Sequence, residues 1–483
     1  MNQTVSLVIF GLAALALALM LVFGFATALD IKRRLPNEPL PYAFFGIVLA
    51  IMAAPLATER LLTSGLATVE ASLEDIGSSF WITRILTALV LIVCIERVGR
   101  YFLQKGGPAP KGMLLWWSFF AFALAGQLLN AAFGAKPSFD QKSLYAFVAY
   151  FAFFLVAQQQ PDRLFKIARW ALLLFLLGSA MAIPVRPAAL LEFGFTGFLP
   201  GINFRYYGLA THANTMGPLA VACLILLWRY PIPARWLNYA AWALTSASLL
   251  FSQSKTSIAI GVAVFIYLWI YRRRSVLAAR ADGSRAQFAL LMWTSLCIVL
   301  AALTLGILLG SNYLDWAIGR FENVTGGQWA TFTGRTRIWA LAWHEFLSHP
   351  VFGYGPTIWD PVYRFYAQLP FAAHAHNQLM QSLSSAGAVG GATVLFYAFM
   401  LLVFAVRANA RSGGISIALV GLILVRCIFE VPLATASIMQ AEFLVQLLAL
   451  SACVGFAPEP VLARASVCSP TSRTVPSPTQ VTT

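Results

Sequence analysis

The sequence predicts an all-α protein: a polytopic bundle of about 12–13 transmembrane helices with a large loop outside the membrane. Two features lead to this prediction. Of the 483 residues, 59% are hydrophobic and only 11% are charged, whereas soluble domains carry about 25% charged residues. Apolar runs also repeatedly reach the roughly 20 residues with which a helix crosses a bilayer. Helices are predicted rather than strands because a helix satisfies its backbone hydrogen bonds within one segment.

The predicted helices are the apolar segments of the chain. They lie near residues 5–29, 41–57, 79–96, 112–132, 143–158, 170–184, 213–228, 237–252, 256–271, 287–310, 384–406, 415–430 and 437–455. We expect residues 1–457 to form one transmembrane domain. The remaining residues, 458–483, are rich in Pro, Ser and Thr and poor in apolar side chains, which predicts a disordered cytoplasmic tail.

The distribution of basic residues predicts the orientation of these helices. The net charge is +15, and one set of alternating connections holds about twice as many Lys and Arg residues as the other. Since basic residues accumulate on the cytoplasmic side, the richer set is cytoplasmic, the N-terminus lies outside and the C-terminus inside. Residues 311–376 then form a long outer loop, and such loops usually have a function. No basic stripe interleaved with aromatic residues is present, so nucleic acid is not an expected partner.

Two outer connections carry residues suited to binding an anion. Arg205 can form bidentate bonds to a phosphate, and Thr211 or Asn214 can cap the next helix, whose N-terminus attracts anions. Lys255, in the polar turn S-Q-S-K-T-S, can bind phosphate as a point charge. The simpler alternatives are a surface arginine beside an ordinary capped helix, and a lysine that reaches from an apolar hairpin towards water.

The long outer loop contains a predicted surface helix. Arg335 and Arg337 are two residues apart, so they point to nearly opposite sides of a helix, and we expect only one to face a site beneath. Four apolar residues that follow recur at helical spacing and form one face suited to a membrane surface. These residues are Trp339, Ala342, Trp343 and Phe346.

The end of the loop carries a candidate base. His376 and Asn377 open the helix that becomes the next membrane segment, and a neutral histidine near pH 7 is a natural general base. Gly387 lies close to three full turns later, which predicts that it shares a helix face with His376. Gly387 and Gly391 form a small-xxx-small face for close helix packing. The alternative is a histidine that only forms hydrogen bonds at the membrane interface.

A zinc site is the competing interpretation of the histidines. His374 and His376, with His344 or His349, could be ligands. However, no outer cysteine and no H-E-x-x-H motif is present, and the outer carboxylates show no ligand spacing, so we expect no metal or other cofactor. The outer connections contain arginines, one lysine and one candidate base histidine but few acidic residues. This set suits a donor that carries a diphosphate leaving group, because arginine can stabilise the negative charge of the leaving group without a divalent ion.

Four motifs in residues 203–391 together resemble the O-antigen ligase and O-antigen polymerase superfamily. The stretch from His376 to Gly390, H-N-x9-G-A-V-G, resembles the signature of that family. The blocks G-R-T-R-I-W…H-P-V-F-G-Y-G-P and F-R-Y-Y-G-L-A-T-H-A-N-T-M-G resemble its periplasmic motifs. S-Q-S-K-T-S resembles its Ser-rich turn, with Lys255 where Arg is commoner.

The resemblance implies a metal-independent, inverting glycosyltransferase of the bacterial inner membrane, with its site facing the periplasm. The donor would be a glycan on undecaprenyl diphosphate, and the acceptor a glycan or lipid A-core. His376 would activate the acceptor hydroxyl, while Arg335 and Arg205 would hold the diphosphate. Arg337, Asn377 and Asn214 complete the predicted substrate-binding set.

The resemblance leaves the exact member open. The S-K-T variant and the short polar tail favour a polymerase of exopolysaccharide or O-antigen repeat units. Such a polymerase could work with other polysaccharide assembly and export proteins. A ligase that transfers glycan to lipid A-core is the alternative. A transporter or flippase is the non-enzyme alternative. It would place ionisable residues within helices, and Arg84, Arg426 and Glu430 are the candidates.

Overall fold

The computed structural model of this chain describes most of the predicted transmembrane domain. The described residues are 38–57, 60, 62, 78–104, 110–195, 197, 199–278, 331–369 and 372–457. Outside them lie the predicted helices at 5–29 and 287–310, the first part of the long outer loop at 311–330, and the predicted tail at 458–483.

Every predicted helix that falls within the described residues is a helix in the structure. The helices are α1 (Ala43–Ala57), α2 (Ser78–Leu103), α3 (Met113–Phe133, with a π-helical turn at Leu124–Leu129), α4 (Tyr145–Ala157), α5 (Pro161–Ala182), α6 (Ala213–Arg229), α7 (Arg235–Phe251), α8 (Lys255–Ala278), α9 (Thr331–Ser348), α10 (Pro361–Tyr366), α11 (Gln378–Ser412), α12 (Ile415–Arg426) and α13 (Ala441–Gly455). Single turns lie at Leu40–Tyr42, Gln141–Leu144 and Pro187–Leu190.

The composition of these helices makes the chain an all-α membrane protein. Four helices of the described residues are long and apolar enough to cross a membrane: Met113–Phe133, Pro161–Ala182, Lys255–Arg273 and Gln378–Ser412. Helix α4 is buried along nearly its whole length in one continuous apolar core. On the surface of the bundle, α2 exposes large apolar side chains four residues apart. Exposure of these side chains to water would be unfavourable, whereas contact with lipid is not. These side chains are Trp81, Ile85 and Leu89.

Connections predicted to lie on the same side of the membrane meet at the same end of the molecule. At one end the Tyr230 hydroxyl donates to Asp162 at 2.8 Å, which joins the connections before α5 and after α6. At the other end Arg60 donates to the backbone oxygens of Ala189 and Ala210, at 2.9 and 2.8 Å. We call this second end the site end, because it holds the candidate functional residues.

A short strand pair, not predicted from the sequence, positions Arg205 at the site end. Strands β1 (Leu191–Phe193) and β2 (Phe204–Tyr206) pair antiparallel, with Glu192 opposite Arg205. Arg60 binds the backbone on both sides of this pair and thereby fixes it to the bundle. The pair is too short to show the alternating pattern by which strands are recognised in a sequence.

Helix α11 is broken at Gly387, which has φ 64° and ψ −158°. The prediction that His376 and Gly387 share one face of a continuous helix is therefore wrong, since the helix begins only at Gln378 and is interrupted at Gly387. Residues 350–355 occupy the break. Their backbone accepts from Ala388 N and donates to Ser384 O, both at distances of 2.8–2.9 Å.

The glycines at this break permit the approach of the loop. A Cβ at Gly387 would overlap the Val351 carbonyl and would lie 2.7 Å from Phe352 N. The nearest atoms to a Cβ at Gly390 or Gly391 belong to α11 itself. The predicted small-xxx-small contact between membrane helices is thus replaced by a contact between a loop and a kinked helix, because the kink exposes backbone groups that the loop can bind.

Helix α9 covers the site end, and its buried face is not the predicted one. Ile338 and Ala342 are buried in a small cluster made with Ile358, Trp359, Leu369, Ala372 and Ala375. Trp343, which was predicted to share a face with Ala342, is exposed. The predicted face is divided because Ile358, Trp359, Leu369, Ala372 and Ala375 pack against one side of the helix and leave Trp343 on the other.

Candidate active site

Glu430 is a buried carboxylate on which the polar groups of the site end converge. Helix α12 ends at Arg426, so Glu430 lies in the following loop, not within a helix as the transporter alternative required. Nδ1 of His376 lies 3.2 Å from Oε2 of Glu430, and Nδ2 of Asn214 donates to Oε1 at 2.8 Å. Nη2 of Arg335 lies 3.7 Å from the same Oε1.

The partners of Glu430 keep it ionised. Burial by itself would raise the pKa of this carboxyl, but the hydrogen bond with His376 and the positive charges that surround it outweigh burial. The pKa of Glu430 is therefore held below its usual value. At neutral pH the residue is a carboxylate, which can only accept hydrogen bonds.

The ionised Glu430 determines which nitrogen of His376 carries the proton. Because the carboxylate only accepts, Nδ1 of His376 must donate to it, so in the neutral ring the lone pair lies on Nε2. The side chain of His376 is 24% exposed, so it is accessible from outside the protein. A carboxylate that orients an imidazole and stabilises its protonated form is the arrangement of a general base.

His374 lies beside this pair and completes a group that could reach one metal ion. One donor atom each from His374, His376 and Glu430 lies within 4.8 Å of the others; His344 and His349 are not in this group. However, Nδ1 of His374 accepts the backbone N–H of His376 at 3.2 Å. Burial and the neighbouring His376 lower the pKa of His374 to about 4, so the ring is neutral at pH 7.

The hydrogen bonding of His374 does not fit a metal ligand. A neutral ring whose Nδ1 accepts a hydrogen bond carries its proton on Nε2, and this nitrogen faces Glu430 Oε2 at 3.7 Å. Coordination needs the lone pair of Nε2 and would move the proton to Nδ1, against the N–H of His376. This hydrogen bonding disfavours His374 as a metal ligand, while the pair of His376 and Glu430 is suited to proton transfer.

Arg205 contributes a half-buried positive charge. Its Nε donates to Ser252 O at 3.0 Å and its Nη2 to Asn214 Oδ1 at 2.8 Å. Burial lowers the pKa of Arg205. No carboxylate of the described residues lies within ion-pair distance of it, although such pairing is the usual way to compensate a charge with little solvent. An anion from outside the protein would supply that compensation.

Asn214 links the two halves of the site. Its amide oxygen accepts from Arg205 and its amide nitrogen donates to Glu430. The predicted cap of α6 by Thr211 or Asn214 is wrong, because His212 is the N-cap and its Nδ1 accepts from Asn214 N at 3.0 Å. The imidazole takes the capping position, and this leaves the Asn214 side chain available to join Arg205 to Glu430.

The remaining predicted residues lie at the edge of the cluster. Lys255 is exposed at the start of α8. Arg337 is exposed on α9, with no hydrogen bond or ion pair to the part of the chain that the structure describes. Asn377 caps α11 by accepting from Met380 N and donates to Ile428 O, so its amide holds the backbone together.

Sequence reasoning missed two members of the site. Glu430 and Arg426 were considered only as ionisable residues of the transporter alternative, yet Glu430 lies at the centre of the site, and Arg426 donates to Asn214 O at 3.1 Å and lies 4.0 Å from Glu442. The signal that could have found them is their position. Both lie at the end of an apolar segment that the charge distribution directs outwards, where a buried charge usually has a function.

Part of the chain matches a known protein family. Residues 239–395 match the family model described as O-antigen ligase, a range that includes Lys255, Arg335 and His376. No curated protein matches the chain. Three of the four motifs on which the sequence resemblance rests lie entirely within the matched range, and the motif that contains Arg205 lies outside it. This part of the chain is therefore similar to the O-antigen ligase family, which supports the resemblance to the O-antigen ligase and O-antigen polymerase superfamily.

Proposed function

We propose that this protein is a glycosyltransferase of the bacterial inner membrane that polymerises repeat units of an exopolysaccharide or O-antigen carried on undecaprenyl diphosphate. The family implies glycan transfer of the ligase or polymerase type. The observation that carries the finer proposal is the convergence of one histidine–carboxylate pair with Arg205 and Arg335. This combination supplies a base for an acceptor hydroxyl and cations for a diphosphate.

The chemistry follows from the tautomer of His376. Its Nε2 takes the proton of an acceptor hydroxyl as that oxygen attacks the anomeric carbon of the donor sugar. The bond from this carbon to the diphosphate breaks, and the diphosphate leaves with the electron pair. Attack from the opposite face inverts the configuration. Glu430 stabilises the imidazolium that forms, much as a buried carboxylate does in hydrolytic triads.

The cations act on the leaving group. Arg205 and Arg335 bind the diphosphate and stabilise the negative charge that grows on it as the bond breaks. Because arginine remains charged at any physiological pH, this stabilisation requires no divalent ion. Two observations support a metal-independent reaction: the uncompensated charge of Arg205 and the hydrogen bonding that occupies His374.

The periplasmic location is supported by the charge distribution. The connections that form the site end, around residues 187–212, 252–255, 350–376 and 427–440, belong to the set that is poor in Lys and Arg. Repeat units carried on a lipid would reach this end from within the bilayer. Exposed side chains of α9, among them Trp343 and Leu347, lie on the same end and suit contact with a membrane surface.

A ligase that transfers finished glycan to lipid A-core is the second candidate. It is favoured by the description of the matched family, whereas the S-K-T turn favours a polymerase. The two differ in what a deletion strain accumulates. Single lipid-linked repeat units indicate a polymerase, and long lipid-linked chains indicate a ligase, so mass analysis of the extracted intermediate decides between them.

Substitutions test the enzymatic role itself. In a deletion strain complemented with the gene, His376→Ala and Arg335→Ala should abolish polymer formation while the protein stays in the membrane, as measured by immunoblot. His344→Ala, on the exposed side of α9, and Arg407→Ala, at the opposite end of α11, are the matched controls and should complement fully. Full-length polysaccharide from both site variants would refute the assignment and would favour a transporter.

A further inference from the structure

His376 has a left-handed backbone conformation, with φ +49°. This conformation is unfavourable for a residue with a Cβ and persists only when its surroundings hold it. The conformation matters because it turns the imidazole away from the axis of α11, which begins two residues later, and towards Glu430. Contacts from neighbouring groups hold the turn formed by residues 374–376.

The middle of the turn is held by the two helices that flank it. Ala375 O accepts from Nε1 of Trp339 on α9, and Ala375 N donates to Oε1 of Gln381 on α11, both at 2.9 Å. Ala375 is fully buried. These bonds fix where the turn lies, but neither reaches the amide of His376, whose orientation sets φ.

The amide of His376 is held by His374. Nδ1 of His374 accepts the N–H of His376 at 3.2 Å, and the two imidazole centroids are 4.1 Å apart. This is the contact from residue i to residue i+2 by which Asn and Asp side chains stabilise turns. The other nitrogen of His374, Nε2, faces Oε2 of Glu430, the oxygen that also contacts His376.

We propose that His374 is a positioning residue for the base of the proposed transfer reaction, on which this inference rests. Its Nδ1 holds His376 in the left-handed conformation, and its Nε2 faces the shared oxygen of Glu430 at 3.7 Å. The Nδ1 lone pair is thereby engaged by the N–H of His376, and Nε2 carries the ring proton. His374 cannot accept the proton of the acceptor hydroxyl, so only His376 of the two neighbouring histidines acts as the base.

Three substitutions separate the two contacts of His374. In His374→Asn the amide oxygen replaces Nδ1 and can still accept from His376 N–H, but nothing reaches Glu430. In His374→Gln the longer amide can reach Glu430 but lacks the acceptor at the Nδ1 position. His374→Ala removes both contacts. His344→Ala, an exposed histidine on α9, is the control.

The readout is the initial rate of polymer formation in membranes that contain each variant, with the lipid-linked intermediate extracted from the deletion strain as substrate at varied concentration. We expect His374→Ala to lower kcat by about 10–100-fold with little change in KM, because a base displaced by an ångström is misaligned while substrate binding is preserved. His374→Asn should recover kcat to within about threefold of the wild type, and His374→Gln should stay near the alanine variant.

Two results would overturn the inference: wild-type kcat for His374→Ala, or an asparagine variant no more active than the glutamine variant. If the alanine variant does not accumulate in the membrane, the asparagine and glutamine pair, both of which keep a polar side chain, decides the question alone. His376→Ala separates this inference from the proposed function. Activity of His376→Ala would refute the base itself, whereas an inactive His376→Ala with a normal His374→Ala would refute only the positioning.

Discussion

Nδ1 of His376 and Oε2 of Glu430 lie 3.2 Å apart although 54 residues separate them in the sequence. Between the two residues the chain leaves the site end along α11 and returns to it along α12. The pair therefore forms only when these two helices are packed against each other. The contact gives the histidine a fixed tautomer and the carboxylate an orienting role. It connects the packing of the bundle directly to the chemistry that we propose.

Replacement of Glu430 by glutamine tests this role with little change of shape. Glutamine cannot stabilise an imidazolium and can force His376 into the wrong tautomer, so we expect the rate of polymer formation to fall by about 10²–10⁴-fold. Glu345→Gln is the control, because among the described residues its carboxylate accepts from the Tyr363 hydroxyl, at 2.8 Å, away from the site. An active Glu430→Gln variant would show that His376 needs no carboxylate partner.

Arg335 and Arg337 are a matched pair within one helix. Arg335 reaches Glu430, whereas Arg337 is exposed. We expect Arg335→Ala to lower the rate of transfer by about 100-fold or more, and Arg337→Ala to change it by less than about threefold, since only the former removes a charge next to the diphosphate. The rates are compared at equal protein in the membrane. Equal losses would mean that both arginines bind substrate.

Gly387→Ala tests the kink in α11. The substitution adds a Cβ at a left-handed position, against the carbonyl of Val351, and we expect it to lower the free energy of unfolding by about 2–4 kcal/mol. The midpoint of thermal unfolding in detergent measures the loss. Gly421→Ala in α12 is the control, because nothing lies within 4 Å of its added Cβ. A normal midpoint for Gly387→Ala would argue against the kink.

Two buried histidines should contribute a loss of stability as the pH is lowered from neutral. Burial lowers the pKa of His212 to about 3 and that of His374 to about 4. Between these values and the ordinary pKa near 6.5, the unfolded chain binds protons that the folded chain does not, so stability rises with pH in this window. Glu430 does not oppose the trend, since its lowered pKa affects stability only below its ordinary value of about 4.3.

The measurement is the thermal unfolding midpoint between pH 7 and pH 5. We expect it to fall with pH in the wild type and to fall less steeply when His212 and His374 are both replaced by asparagine, because asparagine can keep the backbone bonds but does not titrate. A wild-type midpoint that does not change over this range would contradict the prediction. An unchanged slope in the double variant would assign the effect to other groups.

The sequence alone predicted where the helices of the described residues lie and which family the chain resembles. Segments near 41–57, 143–158 and 415–430 are helices in the structure because length, apolar composition and backbone hydrogen bonding are local properties that a bilayer constrains strongly. The motif around His376 identified the superfamily that the family model confirms. Local pattern also indicated that Arg335 and Arg337 face opposite sides, and the structure places one at Glu430 and the other exposed.

Only the tertiary structure decided which groups act together. Asn214 and Glu430 are 216 residues apart, and no local pattern links them. The break at Gly387 depends on a loop that binds the exposed backbone, and the left-handed turn at His376 depends on contacts from α9 and α11. The physical reason is the range of the interactions. Helix formation follows from neighbours along the chain, whereas the ionisation of Glu430 and the tautomer of His376 follow from neighbours that packing brings together.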